Sequence, residues 1–483
     1  MFLSLLSLAN TLLCFQVLVL LIFLIINGSY TYVTIFAFQH LRKSVDAKPD
    51  LAQLLALTKS ANMRPISIVV PAYNEQVTIL DTVLAATRIN YPEFEILIVN
   101  DGSTDETLQR LIEFFDMVPI ARPARMLVDT TPSRGVYVSR RNPNLWVIDK
   151  ENGGKADALN TGLNFSRYPL FCAIDADSII DPDALLRMGH QFLINRELIA
   201  AGGSVRVLNG CVVEDSRVTR VRSPRSILAN IQIAEYLRSF MAGRVALSEY
   251  DSLLIISGAF GIFRKDLMLA IGGFRKTVGE DMDLVLRLHR YCVDHDIKYK
   301  VYFVSEPVCW TQVPSDVFSL LHQRNRWQRG LVDSIWHNRV MLFNPKYGKA
   351  GTVGMPFFLF IELFGPLMEF IGYISFILFF IFNMLNPVFA LLFFMISILW
   401  GMWLNTAAVT LDNFVQHKYE SLFDSYKIAI LGSFEYIGYR QLVAVERLIS
   451  TFQVTRTHWG KAERKDLTNE DKTNAIKPWD IDK

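Results

Sequence analysis

FCAIDADSII, residues 171–180, joins a buried strand to a pair of acidic side chains. The apolar run from Leu170 to Ile174 is typical of a strand buried on both faces, and Asp175 and Asp177 follow where it ends. In open α/β folds, ligands bind at the carboxyl ends of the strands. Two carboxylates there are costly to bury unless they hold a cation or a donor-rich ligand, and hard oxygen ligands suit Mg²⁺ or Mn²⁺. Alone, the D-x-D pattern fits ordinary strand-end aspartates better.

The segments before this stretch alternate between strands and helices. Residues 66–70 form a short β-branched strand, a helix is expected from about 76 to 88, and residues 94–99 form a second strand. Such alternation predicts a parallel, doubly wound sheet with helices on both faces. Residues 118–146 are rich in Pro, Arg and Asn, so we expect a long loop there, with a strand near 145–148.

Polar side chains follow the first two predicted strands. Tyr73 comes just after the first and Asp101 just after the second, so both should lie at the same sheet edge as Asp175 and Asp177. An aromatic ring and a carboxylate at that edge can hold a flat base that forms hydrogen bonds. Taken alone, Asp101 is more typical of a turn residue before Gly102.

A glycine-rich segment, NGGKADALN at residues 152–160, precedes a predicted helix. Two glycines at a helix start leave backbone N–H groups free to face an anion, and Lys155 adds a positive charge. The spacing is not that of the GxxxxGK[ST] phosphate-binding loop. The alternative is a glycine-rich turn beside a solvated lysine.

Two later segments carry further candidates. Residues 255–263 resemble a buried strand broken by two glycines, which mark either the close approach of a substrate to Ser257 and Gly258 or a plain bulge. Glu280 and Asp281 stand at a predicted helix start, where acids also simply complement the helix dipole.

The segment HQRNRWQRG, residues 322–330, continues a helical run. Gln323, Arg326 and Trp327 share one helix face because they are spaced i, i+3 and i+4. An amide and a guanidinium can hold a diphosphate or sugar hydroxyls, and an indole offers a flat apolar surface. A basic helix at a membrane surface is the alternative, and the two readings are compatible.

The N-terminal end is apolar enough to enter a membrane. Residues 1–38 contain no Lys, Arg, Asp or Glu, and basic side chains follow at His40, Arg42 and Lys43. The length of the run favours a membrane anchor over a cleaved signal peptide, and the basic residues place the middle of the chain in the cytoplasm.

The C-terminal part is also apolar. Residues 355–382 and 387–411 are each long enough to span, and the first carries Glu362 and Glu369, which we expect to face a cavity or partner. Residues 427–450 are interrupted by charges, so the sequence leaves open a third C-terminal span or an interfacial helix; we favour the latter, with three spans in total.

Composition limits the classes of function. The chain has 483 residues, of which 51% are hydrophobic, and a net charge of +2, so a nucleic-acid partner is not indicated. Its five cysteines show no CxxC pattern, which favours reduced thiols in the cytosol.

Six motifs in order resemble the family 2 inverting glycosyltransferases of the GT-A fold: VVPAYNE, NDGSTDET, GGKADALN, DAD, GED and QRNRW. The likeness covers about residues 64–330, and the membrane-embedded processive branch is the nearest: cellulose, hyaluronan, poly-N-acetylglucosamine and chitin-oligosaccharide synthases. It implies a Rossmann-like mixed α/β sheet with helices on both faces, flanked by transmembrane helices.

The resemblance also implies roles for individual residues. Asp281 would be the general base, and Asp177 would bind Mg²⁺ or Mn²⁺. The nucleotide would be held by Pro71, Tyr73, Glu75, Asp101, Lys155, Asp175 and Asp177. The diphosphate and the acceptor sugar would be held by Ser257, Gly258, Glu280, Gln323, Arg326 and Trp327.

These implications divide the chain into an anchor (1–43), a cytoplasmic glycosyltransferase domain (64–340), transmembrane and interfacial helices (341–450) and a basic tail (451–483). The expected activity is that of a hexosyltransferase in the plasma membrane. It would transfer sugar from UDP-N-acetylglucosamine or UDP-glucose to a β-linked polysaccharide, which it or accessory export subunits would carry across the bilayer. The alternatives are a non-processive enzyme acting on a lipid or other membrane acceptor and a non-catalytic membrane protein. The single N-terminal span departs from several polymer synthases, which have two.

Overall fold

The computed structural model describes residues 2–45, 49–57, 62–416, 419 and 421–453. The expected mobile tail, residues 466–483, and most of the basic tail lie outside these residues. Within them, the strands are β1 (Ile66–Ala72), β2 (Phe94–Asp101), β3 (Met117–Pro119), β4 (Ser133–Ser139), β5 (Leu145–Lys150), β6 (Leu170–Ile174), β7 (Ser178–Ile180), β8 (Leu198–Val207), β9 (Val212–Glu214), β10 (Arg217–Arg220), β11 (Phe260–Arg264) and β12 (Lys300–Thr311).

Helices cover both faces of the sheet and form the two apolar ends. They are α1 (Phe2–Val45), α2 (Leu51–Leu57), α3 (Ile79–Thr87), α4 (Thr107–Phe114), α5 (Lys155–Phe165), α6 (Ala184–Ile194), α7 (Ile227–Leu237), α8 (Val245–Glu249), α9 (Lys265–Ala270), α10 (Glu280–Asp294), α11 (Val317–His337), α12 (Met355–Phe357), α13 (Gly365–Ile381), α14 (Pro387–Phe394), α15 (Trp400–Gln416), α16 (Leu422–Ser433) and α17 (Tyr439–Thr451). π-Helical turns connect several of them, including Arg238–Arg244 between α7 and α8.

Ten strands form one mixed sheet in the order β3-β4-β5-β2-β1-β6-β11-β8-β12-β7, within the described residues. The run β5-β2-β1-β6 is parallel, as the alternation of strands and helices predicts. β11 is antiparallel to both of its neighbours, so the sheet is mixed. All five residues of β6, the strand of the opening motif, are buried. The carboxyl ends of β1, β2 and β6 therefore meet at one edge.

Two local predictions are wrong. The expected loop at 118–146 contains β4, whose Val136, Tyr137 and Val138 pair with β5. The surrounding Pro and Arg residues hid this strand, which lies between β3 and β5. The expected strand at 255–263 begins only at Phe260, because the chain turns at Ser257, whose carbonyl accepts the Phe260 N–H at 3.0 Å.

Within the described residues, three helical segments are long and apolar enough to cross a membrane: Thr11–Lys43, Ala350–Ile381 and Pro387–Gln416. Their aromatic and aliphatic side chains pack together in a cluster that includes Val19, Phe23, Phe389 and Phe393. The ambiguous segment at 427–450 is broken into α16, a short 3₁₀ turn and α17, so neither helix is long enough to span.

Candidate active site

One cavity of about 2540 Å³ opens at the carboxyl ends of the parallel strands and continues between the apolar helices. Every residue to which the family resemblance assigns a role lies on its wall: Pro71, Tyr73, Glu75, Asp101, Lys155, Asp175, Asp177, Ser257, Gly258, Glu280, Asp281, Gln323, Arg326 and Trp327. Side chains far apart in the sequence thus share one crevice. Their individual roles remain predictions.

The Asp101 carboxylate is held in place from several sides. Lys150 Nζ lies 2.6 Å from Oδ1, the Gly153 N–H donates to Oδ1 at 3.0 Å, and the Gly154 N–H donates to Oδ2 at 2.8 Å. The glycine N–H groups therefore face an anion, as expected, but that anion is the protein's own Asp101. Because both carboxylate oxygens already accept hydrogen bonds from the protein, only part of their acceptor capacity remains for a ligand.

Lys150 is the residue that the sequence analysis missed. Its side chain is fully buried, and its ammonium contacts Asp101 and Asp157, each at 2.6 Å. A buried lysine requires such partners because an unpaired ammonium in the interior is costly. Asp101 and Lys150 end neighbouring strands and pair directly, a register that depends on the tertiary structure and that no local pattern in the sequence indicates.

Lys155 connects the D-x-D motif to the start of α10. Its Nζ lies 2.7 Å from Asp175 Oδ1 and 3.1 Å from Glu280 Oε1. Burial by itself would lower the pKa of Lys155, but the carboxylates of Asp175 and Glu280 outweigh it and raise that pKa. Burial also raises the pKa of Glu280, which Lys155 only partly offsets. Lys155 is therefore a fixed positive charge on the cavity wall.

Asp281 is oriented by two backbone N–H groups. Gly258 donates to Oδ2 at 3.2 Å and Met282 donates to Oδ1 at 2.8 Å. Each carboxylate oxygen retains a second lone pair that can accept a hydroxyl proton. A Cβ on Gly258 would lie 3.1 Å from Lys155 Nζ, so a larger side chain there would crowd that ammonium.

The acidic side chains fit a metal that a ligand helps to coordinate. Among the described residues, no three His, Cys, Asp or Glu side chains are grouped to hold an ion. Lys155 already contacts Asp175, while Asp177 lies on the cavity wall and accepts a hydrogen bond from Ser178 at 3.3 Å. Mg²⁺ typically binds one or two carboxylates and completes its shell with substrate phosphates and water. Asp177 fits that pattern.

The loop after β1 is fixed by the segment after β2. Glu75 is buried, its N–H donates to Thr107 Oγ1 at 2.9 Å, and its carboxylate accepts from Thr78 at 3.0 Å. Tyr73 is 48% exposed, so its ring is available at the cavity mouth. This combination suits a rigid loop that presents one aromatic surface.

Helix α11 carries side chains that line the cavity and side chains that bind neighbouring helices. Gln323, Arg326 and Trp327 line the cavity, as the spacing predicts. Arg324 donates to Glu235 at 2.6 Å, and Gln328 accepts from Arg447 of α17 at 2.7 Å. The remaining polar residues of the motif therefore anchor α11 to its neighbours.

Two glycines bring α11 against the start of α10. A Cβ on Gly330 would lie 2.8 Å from the Gly279 Cα, which is closer than real Cβ contacts. The backbones therefore touch directly. This contact fixes the distance between Asp281 and the cavity face of α11.

The inner part of the cavity carries charges between the apolar helices. Glu362 accepts a hydrogen bond from Tyr30 at 3.0 Å, and Glu369 is paired with Arg440 at 2.5 Å. Arg238 binds both oxygens of Glu435 at 2.8 Å. Both acids of the first C-terminal apolar segment thus face the cavity, as predicted.

Comparison with known proteins gives the family. The model of the glycosyltransferase-like family 2 matches residues 64–330. The poly-β-1,6-N-acetyl-D-glucosamine synthase of Staphylococcus epidermidis is 30% identical over 288 residues, 59% of each chain. That of Staphylococcus aureus (strain COL) is 27% identical over 310 residues, 64% of this chain and 62% of the relative. The chain thus matches less than two thirds of each relative's length.

The fold agrees with a solved glycosyltransferase. The mannosyltransferase PcManGT from Pyrobaculum calidifontis, in complex with GDP-Man and Mn²⁺, superposes with a TM-score of 0.51 at 15% identity, covering 91% of this chain and 100% of that one. At this identity the match establishes the fold alone, and it confirms the predicted GT-A class. With the fold, the cavity and the family match together, the chain belongs to the glycosyltransferase-like family 2.

Proposed function

We propose that this protein is a membrane-bound inverting glycosyltransferase that adds N-acetylglucosamine from UDP-N-acetylglucosamine to a growing β-linked polysaccharide. The observation that carries the proposal is the continuity of the cavity, which joins Asp101, Asp177 and Asp281 to Glu362 and Glu369 between the apolar helices. The named activity of the staphylococcal relatives supports the choice of sugar.

Asp281 acts as the general base. The Gly258 and Met282 N–H groups hold its carboxylate in one orientation, which leaves oxygen lone pairs for the acceptor hydroxyl. As that hydroxyl attacks the anomeric carbon, its proton passes to Asp281 and the bond to the diphosphate breaks. Attack opposite the leaving group inverts the anomeric carbon, so an α-linked donor gives a β-glycoside without a covalent enzyme intermediate.

The donor lies across the strand ends. Tyr73 and Asp101 hold the uracil ring of the donor, while Lys155 keeps a positive charge beside the D-x-D motif. Gln323 and Arg326 on α11 bind the diphosphate, and preorganised donors of this kind stabilise the charge that develops as it leaves. A divalent cation bound at Asp177 would neutralise part of that charge.

The acceptor approaches from the side of the apolar helices. Trp327 is 43% exposed and lines the cavity, so its ring offers a surface for a sugar. Arg42 and Lys43 at the end of α1 favour a cytoplasmic location for the sheet. The product would then leave along the charged inner part of the cavity, with or without accessory export subunits.

Incubation of the purified protein with radiolabelled UDP-N-acetylglucosamine and Mn²⁺ tests the proposal. We expect UDP release and a ladder of β-linked products, and lower turnover with UDP-glucose or UDP-glucuronate. Asp281→Asn is the inactive control, with transfer reduced by about 10²–10⁴-fold, the usual contribution of a general base, and UDP binding retained. A single sugar on a lipid would instead identify the non-processive alternative, and normal turnover by Asp281→Asn would contradict the assigned base.

A further inference from the structure

Arg244 lies on the cavity wall and has no charge partner among the described residues. It ends the π-helical turn Arg238–Arg244, and its guanidinium stacks 3.8 Å from the centre of the Phe240 ring. Within the described part of the chain it makes neither a hydrogen bond nor an ion pair. Arg238, at the other end of the same turn, binds both oxygens of Glu435. Of the two arginines of this turn, Arg238 is therefore neutralised by a carboxylate and Arg244 is not.

The unpaired state of Arg244 is costly. Burial lowers its pKa to about 10, and the charges of Asp281, Tyr236 and Glu362 offset only part of this effect. A partly buried charge without a partner opposes folding, so a protein gains from keeping one only where a ligand uses it. π-Helical turns are frequent at functional sites, because they shift side chains out of the α-helical register.

The neighbours of Arg244 indicate which ligand it meets. The charged groups that act on it most strongly are Asp281, which we assign as the base, and Glu362, which lies in the first C-terminal apolar segment. The D-x-D carboxylates Asp175 and Asp177 are not among these groups. Phe240, on which Arg244 stacks, packs against Tyr236, and Tyr236 packs against Trp327, the proposed surface for the acceptor sugar.

We propose that Arg244 is an acceptor-binding residue: its guanidinium donates hydrogen bonds to oxygen atoms of the terminal sugar of the acceptor glycan and holds the attacking hydroxyl at Asp281. The inference rests on the proposed function. It adds a residue outside the six sequence motifs.

Kinetics with two varied substrates test this role. In Arg244→Gln, the KM for a β-1,6-linked N-acetylglucosamine tetrasaccharide should rise about 10- to 100-fold, as expected for lost charge-assisted hydrogen bonds. The rate of UDP-N-acetylglucosamine hydrolysis without the tetrasaccharide should change less than about threefold, and so should the KM for the donor. Changes of this size are expected from a substitution that does not contact the donor. Arg244→Lys keeps the charge and should recover part of the acceptor affinity. A raised donor KM with unchanged acceptor KM would overturn the proposal, because Arg244 would then bind the diphosphate.

Thermal unfolding separates binding from a structural role. Arg244→Met removes an unpaired charge, so its Tm should stay equal or rise. The matched control Arg238→Met leaves Glu435 with one guanidinium fewer and should lower Tm by about 5 °C or more. A similar fall in Arg244→Met would overturn the proposal in favour of a structural role. If the wild type transfers no sugar, the proposed function fails; if it does and Arg244→Gln matches it, only this inference fails.

Discussion

Replacing Lys150 by methionine should damage the donor site although Lys150 cannot touch the donor. Its side chain has no exposed surface, and its ammonium lies 2.6 Å from both Asp101 and Asp157. Methionine fills a similar volume without charge. The change therefore leaves two carboxylates next to each other with no cation between them.

The expected cost follows from what remains around each carboxylate. Removing one partner of a buried ion pair costs about 3–5 kcal/mol. Asp101 keeps the N–H groups of Gly153 and Gly154, and the Asp157 side chain is 18% exposed, so water can replace part of its interaction. We therefore expect the lower limit, about 3 kcal/mol, which corresponds to a fall in Tm of about 6–12 °C in a domain of this size.

UDP affinity should fall together with stability. Without Lys150, Asp101 loses the cation that fixes its Oδ1 and can rotate away from the glycine N–H groups, which removes the acceptor that holds the uracil base. A loss of at least about tenfold, equivalent to about 1.4 kcal/mol, is expected. Intrinsic-fluorescence melting in detergent and calorimetric titration with UDP measure the two effects.

Two controls show whether the effect is specific to Lys150 or common to any lysine substitution. Lys298→Met changes an exposed lysine and should leave both Tm and UDP affinity unchanged. The double variant Lys150→Met/Asp157→Asn removes one of the two opposed carboxylates and should recover part of the lost Tm. A fall in Tm below about 2 °C with unchanged UDP affinity would refute the reasoning, since such a value is less than 1 kcal/mol for a domain of this size.

Asp177→Ala should abolish the Mn²⁺-dependent part of UDP binding; equal calorimetric affinity with and without Mn²⁺ in the wild type would argue against the metal role. Gly330→Ala places a Cβ 2.8 Å from the Gly279 Cα, so overpacking should lower the free energy of unfolding by about 1–3 kcal/mol and reduce turnover. In the control Gly28→Ala, the added Cβ meets no atom within 4 Å, so stability and turnover should stay unchanged. Burial lowers the pKa of His289 to about 4. Because the unfolded state takes up a proton near pH 6.5 and the folded state does not, stability should fall as the pH drops from 6.5 toward 4, by about 1.4 kcal/mol at pH 5.5. His289→Gln should flatten this dependence; an equally steep melting profile would count against it.

Local patterns in the sequence were sufficient for much of the architecture. The strand at Leu170–Ile174 and the apolar segments at both ends were predicted because hydrophobic periodicity and length act over a few residues or one helix. The strand β4 was missed because its apolar run is only three residues long and its neighbours are typical of loops. Likewise, the two glycines near Ser257 were read as part of a strand, whereas the chain turns there to bring Gly258 to Asp281.

The shared edge of the parallel strands was also predictable, since strands joined by helices in this way end on the same side of the sheet. The sequence by itself therefore predicts that Tyr73, Asp101 and the D-x-D pair lie at one edge of the sheet. Strand order and helix crossings depend instead on packing between distant segments, which no local pattern records. For that reason only the tertiary structure revealed that Lys150 holds Asp101, that Gly279 touches Gly330 and that Arg244 faces the cavity with no charge partner in the part of the chain that the structure describes.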